Sequence, residues 1–241
     1  MNQHLHVQAH RGASIEKREN SLESIQRAVE LGADSIEIDI HLLKDETLSV
    51  FHDFHVPAST APKFIGDLTV WEMKKIGAPT LLEVFGLLKS FPSSNLLWLD
   101  LELKYLEGHP SSPEREKLVE AVLDCVSMNW QLNRTKFRSF DWKILKCFQA
   151  KSVSSVQTIP LLGKTDGDFN EALKLQTEWL APHVDMLDEK RVSWAHRLGL
   201  KIMPYTVNFP ADWKKLAGWG VDGITTDDPE GLLQFLERSN R

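Results

Sequence analysis

Short apolar runs of strand length alternate with amphipathic runs of helix length along the whole chain, and this alternation restricts the fold more than any other feature. Strands are expected at 5–10, 34–40, 48–52, 96–103, 134–139, 156–161, 178–182, 200–207 and 221–226. Helices are expected at 21–31, 81–90, 113–127, 141–150, 168–176, 188–197, 210–218 and 229–238. Such alternation builds parallel sheets with covering helices. With 48–52 set aside as an accessory strand, eight strand–helix pairs remain, the number that closes a (β/α)8 TIM barrel. The 241 residues suit one domain, 1–241. One stretch, about 53–80, is rich in Pro, Ala, Thr and Lys and reads as a short irregular insertion after strand two. Helix starts carry plausible caps: Asn20 with Glu23, Asp188 before Glu189, and Asp228 before Pro229.

Three of the strands carry charge where a buried strand should be apolar. Ser35-Ile36-Glu37-Ile38-Asp39-Ile40 alternates strictly, so its isoleucines take one face and Glu37 and Asp39 the other. Leu97-Trp98-Leu99-Asp100-Leu101-Glu102-Leu103-Lys104 repeats the pattern, with Asp100, Glu102 and Lys104 opposite the leucines. The first strand ends on His10-Arg11-Gly12, and the accessory strand on His52-Asp53. Catalytic groups of α/β barrels sit at the C-terminal ends of strands, so these residues are expected to converge at one quadrant of the mouth. Inward carboxylates in an apolar core are costly unless they are paired or hold a metal. Three carboxylates without an accompanying cysteine favour oxygen ligation, and hence Mg²⁺, Ca²⁺ or Mn²⁺. Arg11 and Lys104 suit a phosphate, and His10 and His52 supply a base and an acid near neutral pH. A metal, two cations and two histidines together point to phosphoryl transfer or phosphodiester cleavage.

Composition narrows the alternatives. The 28 basic and 34 acidic residues give a formal charge of −6, and no basic cluster stands out, so nucleic acid is not an expected partner. No apolar run approaches the ~18 residues needed to span a bilayer, and the start lacks a signal-peptide pattern. A cytoplasmic location is therefore expected. Cys125 and Cys147, in helix-like segments, are expected to be reduced thiols.

At these residues the chain resembles the glycerophosphodiester phosphodiesterase family. The resemblance rests on Ala9-His10-Arg11-Gly12-Ala13, Glu19-Asn20-Ser21, Gly32 to Asp39, Lys44-Asp45 and His52-Asp53. It continues through Pro79 to Val84, Leu101 to Lys104, Ser139-Phe140-Asp141, Thr206-Val207-Asn208 and Gly220 to Asp227, in family order over nearly the entire chain. It implies that Glu37, Asp39 and Glu102 bind one divalent cation, that His10 and His52 form the acid–base pair, and that Arg11 and Lys104 lie near the phosphate. It also implies a small-molecule glycerophosphodiester substrate, cleaved to glycerol 3-phosphate and an alcohol. In the implied route a free glycerol hydroxyl attacks phosphorus and water then opens the cyclic phosphate. Asn208, at the end of the seventh strand, is either a pocket residue binding substrate or a helix cap.

Three positions depart from the family pattern: Arg18 in place of proline, Phe54 to Thr60 in place of Arg-Thr-Thr, and Tyr205 in place of tryptophan. All three bear on the alcohol head group. Asp53 is expected to orient locally, His41 and His55 to lie at the surface or behind the site, and Trp71 and Phe64 to line a groove. Two rival functions are a phosphodiesterase acting on lysophospholipids or other diesters, and a non-catalytic binding protein. An amidohydrolase barrel, suggested by His4-Leu5-His6, is disfavoured because that pair begins the first strand instead of ending it.

Overall fold

A computed structural model describes residues 4–56, 62–92, 97–151, 156–165 and 168–239. Eight parallel strands form the barrel: β1 (His6–His10), β2 (Ser35–Leu42), β6 (Trp98–Leu103), β7 (Thr135–Ser139), β8 (Gln157–Leu162), β9 (Trp179–Pro182), β10 (Lys201–Ile202) and β11 (Gly223–Thr226). β11 pairs with β1, and backbone bonds from Asp222 N to Ile202 O (3.0 Å) and Thr225 N to Pro204 O (3.0 Å) bring it against β10. The sheet thus returns on itself as the eightfold alternation predicts. β10 is shorter than the expected 200–207 because Pro204 has no N–H to donate to the ladder.

Helices α1 (Leu22–Leu31), α3 (Leu81–Lys89), α4 (Arg115–Asn129), α5 (Trp142–Lys151), α6 (Phe169–Leu173), α7 (Glu189–Arg197), α8 (Pro210–Trp219) and α9 (Pro229–Ser239) cover the outside. They bury the outward strand residues: Ile36, Ile38 and Ile40 of β2 join Leu99 and Leu101 of β6, Ile25 of α1 and Phe85 of α3 in one core cluster. Removing each such side chain from water contributes about 1.5–3 kcal/mol before entropy is counted. The cap of α1 is Ser21, which accepts from Ser24 N, and not Asn20. Asp188 caps α7 and Asp228 caps α9, as expected.

Inside the barrel the middle layer is polar. Buried Gln8 donates to Asp100 Oδ2 (2.7 Å) and Ser35 Oγ (3.1 Å), and accepts from Thr225 Oγ1 (2.8 Å) and from Arg138. Asp100 therefore belongs to the floor and lies below the mouth.

The insertion is more ordered than its composition suggests. After β3 (Leu48–Val50), antiparallel to β2, come a two-strand ribbon of β4 (His55–Val56) and β5 (Lys63–Phe64) and the helix α2 (Val70–Lys75). Thr69 and Glu72 make a capping box at the start of α2. Pro57 to Thr60, part of the departure from the family loop, lie outside the described residues.

Candidate active site

Strand register assembles the site. His10 of β1 sits beside Glu37 of β2, and Asp39 of β2 sits beside Glu102 of β6. Alternation turns all these side chains toward the barrel axis at the C-terminal mouth. One oxygen from each of Glu37, Asp39 and Glu102 falls within 4.8 Å of the others, and all three residues are buried. Glu37 Oε1 makes no hydrogen bond among the described residues, and Asp39 Oδ1 makes none beyond an ion pair with Lys104 Nζ at 3.3 Å. Buried carboxylate oxygens left this way are under-satisfied unless a cation completes them, so the donor set fits a hard divalent ion.

The remaining charges surround this cluster. Arg11 donates its backbone N–H to Glu37 Oε2 (3.1 Å); its Nε lies 3.2 Å from Asp39 Oδ2 and its Nη1 donates to Glu19 Oε2 (2.8 Å). Lys104 Nζ lies 2.8 Å from Glu102 and 3.3 Å from Asp39. Both cations therefore neutralise the carboxylates directly. Asn20, at φ +54°, donates to Asp39 Oδ2 (2.8 Å) and accepts from Asp39 N (3.2 Å).

The turn after β1 depends on Gly12. Its φ is +83°, and a Cβ there would meet the Ser24 backbone carbon and Oγ at 2.5 Å. Only glycine lets Ser24 Oγ reach Arg11 O (2.9 Å) and tie the loop to α1.

The local fields differ sharply between neighbours. Burial, then the Asp39 charge, pushes the Glu37 carboxyl up to about 7. For Asp39, burial acts upward, but Lys104 and Arg11 prevail and hold it down at about 2. Burial likewise opposes a charge on His10, yet the Asp227 hydrogen bond and the Glu37 carboxylate outweigh it and raise the imidazole above its ordinary value. Burial and Lys104 push His41 down to about 3, leaving it neutral.

The two histidines occupy different settings. His10 is largely buried, with Nδ1 2.6 Å from Asp227 Oδ1 and Nε2 3.9 Å from Glu37 Oε2. His52 is more open, its Nδ1 2.8 Å from Asp53 Oδ1. Phe51 N bonds Asp39 O (3.1 Å), which keeps the end of β3 at the level of the carboxylates.

Sequence reasoning leaves Asp227 and Asn20 without a role at the site. Of the two places expected for His41, the structure shows the one behind the site: it is buried, with Nε2 3.5 Å from the His52 carbonyl. Asn208 donates to Asp227 Oδ2 (2.6 Å) and accepts from Asp227 N (2.9 Å) and Thr226 Oγ1 (3.1 Å). It adjoins Asp227, the partner of His10, and does not cap α8, which shows no side-chain cap. Phe64 is buried against His109 (centroids 3.5 Å apart), while Trp71 is exposed.

The sequence profile of the glycerophosphoryl diester phosphodiesterase family matches residues 10–231. A glycerophosphodiester phosphodiesterase of Caldanaerobacter subterraneus subsp. tengcongensis is 33% identical over 251 residues, covering 96% of this chain and 98% of its own. A solved glycerophosphodiester phosphodiesterase of Parabacteroides distasonis superposes with a TM-score of 0.84 at 27% identity, covering 100% of both chains. The fold is shared with an Oleispira antarctica phosphodiesterase solved with the product sn-glycerol-3-phosphate (TM-score 0.84, 24% identity, 96% of each chain). This chain therefore belongs to the glycerophosphoryl diester phosphodiesterase family, a family of phosphoric diester hydrolases.

Proposed function

We propose that the protein hydrolyses glycerophosphodiesters to glycerol 3-phosphate and an alcohol with the help of one divalent cation, working as a single domain over 1–241. The observation that carries this reading is the buried Glu37–Asp39–Glu102 cluster, in which Glu37 Oε1 has no hydrogen-bond partner among the described residues, set beside His10. These three carboxylates would hold the cation, with Mg²⁺, Ca²⁺ and Mn²⁺ all suited to oxygen donors. When bound, the cation supplies neutralising charge to the phosphoryl oxygens.

The chain's own residues supply the proton transfers. His10 takes the proton of a substrate glycerol hydroxyl as that oxygen bonds to phosphorus. His52 delivers a proton to the departing alcohol oxygen as the second ester bond breaks. The two then exchange roles while water opens the cyclic phosphate. A nucleophile already tethered to the substrate avoids much of the entropy of encounter. Arg11 and Lys104 hold the carboxylates in place and add positive charge facing the phosphate.

Glycerol 3-phosphate release should be followed from glycerophosphocholine, glycerophosphoethanolamine and a diester lacking the vicinal hydroxyl, with micellar lysophospholipid in parallel. The reading expects release from the first two and very slow cleavage of the third. Cleavage of lysophospholipid alone would assign the site to lysolipids, and normal turnover of the third diester would rule out the cyclic route.

A further inference from the structure

Asp227 stands apart from the carboxylates that crowd the mouth. It follows β11 and meets His10 on the side of the imidazole away from Glu37, with Oδ1 2.6 Å from Nδ1. The carboxylate is itself held from two directions. Asn208 Nδ2 donates to Oδ2 at 2.6 Å, and Ser14 Oγ lies 3.1 Å from Oδ1 and 2.9 Å from His10 O. Asn208 is fixed in turn, because its Oδ1 accepts from Asp227 N and Thr226 Oγ1. A capping duty does not explain this arrangement, since the neighbouring Asp228 is the residue that accepts from Gly231 N at the start of α9.

A neutral imidazole has two tautomers, and the partner of one nitrogen decides which of them is present. We propose that Asp227 is a positioning residue, clamped by Asn208 and Ser14, that keeps the His10 proton on Nδ1. The nitrogen left to exchange a proton with substrate is then Nε2, which faces the carboxylate cluster. Nδ1–H stays bonded to Asp227 throughout, while Nε2 gains and then loses the substrate proton. The arrangement fixes ring rotation as well as tautomer, and so bears on turnover more than on substrate affinity. The proposal rests on the reading of His10 as an acid–base residue.

The test uses the Mg²⁺-loaded enzyme. D227N should lower kcat by about 10²- to 10⁴-fold and leave KM within about threefold. ¹⁵N shifts of the His10 ring should change from the Nδ1–H form to a mixture of tautomers. In an H10A background D227N should have almost no further effect on kcat, whereas a purely structural role would lower activity in both backgrounds. N208A, which loosens the clamp and keeps the Asp227 charge, should lower kcat about tenfold and carries the same test if D227N does not fold. Wild-type kcat in D227N, an unaltered His10 ring spectrum, or additive losses with H10A would each overturn the proposal. If the wild-type protein releases no glycerol 3-phosphate, the functional reading fails, while the ring spectrum still decides whether Asp227 governs His10.

Discussion

Glu37 is buried between Asp39 and His10, so its charge is opposed by lost solvation and by a like charge nearby. In the metal-free protein it titrates at about 7, against an ordinary 4.5 in the unfolded chain. Between those values the folded state keeps a proton that the unfolded state has released, so stability falls as pH rises through that window. Burial holds His6 and His41 at about 4 and about 3, and they act in the opposite sense below pH 7. The Glu37 contribution is therefore read as the difference between the wild type and E37Q: the metal-free wild type should lose melting temperature relative to E37Q between pH 5 and pH 8. E37Q should remove this downward contribution and raise the metal-free Tm at pH 8 by a few degrees, while abolishing stabilisation by added Mg²⁺. Calorimetry with and without EDTA checks both, and an unaltered slope in E37Q would contradict the assignment. His52 offers a contrasting case. Its side chain is 35% exposed and bonded to Asp53 alone among the described residues, so H52Q should reduce kcat by about 10²- to 10⁴-fold while the melting temperature hardly moves. A large loss of Tm would show that His52 has a structural duty instead.

At the scale of elements, β2 and β6 convert spacing into geometry. Residues 37 and 39 share a face because the strand period is two, and parallel register then sets Asp39 beside Glu102. This much is legible in the sequence, because alternation is local. Asp227 is not, since its meaning depends on β11 closing against β1, 217 positions away from His10. The bond between Asn208 and Asp227 is hidden for the same reason, because Asp227 arrives from the next strand. Asn20 reads as a helix cap because asparagine before Ser21 fits that role, yet its positive φ swings the amide toward Asp39. The order in the insertion is hidden by composition, although Thr69 and Glu72 carry a cap signature. The insertion is fastened to the loop after β6. Phe64 stacks on His109, Ser111 Oγ bonds Asp67 (2.6 Å), and a Cβ at Gly66 would lie 2.2 Å from Ser111 O. G66A should therefore destabilise the fold by about 1–3 kcal/mol, measured by urea unfolding, with the loss concentrated in protection of the insertion's amides. Wild-type stability would show that the two loops part freely.

For the whole molecule, the barrel brings strand ends from the two termini of the chain to one mouth and places a polar floor of Gln8, Asp100 and Arg138 beneath them. Among the described residues no helix is long and apolar enough to cross a membrane. A cation bound only by the folded state stabilises it by about 2.7 kcal/mol at a hundredfold excess over Kd, or ~5–10 °C for a chain of this size. Mg²⁺ should produce such a shift, and E102Q should remove it. The central claim is that Glu37, Asp39 and Glu102 hold a cation without which the diester is not cleaved. Its most direct test is glycerol 3-phosphate release from glycerophosphoethanolamine by EDTA-stripped protein titrated with Mg²⁺. The account predicts background release before addition and saturable recovery as a single site fills. Full turnover by the stripped protein in EDTA would contradict it.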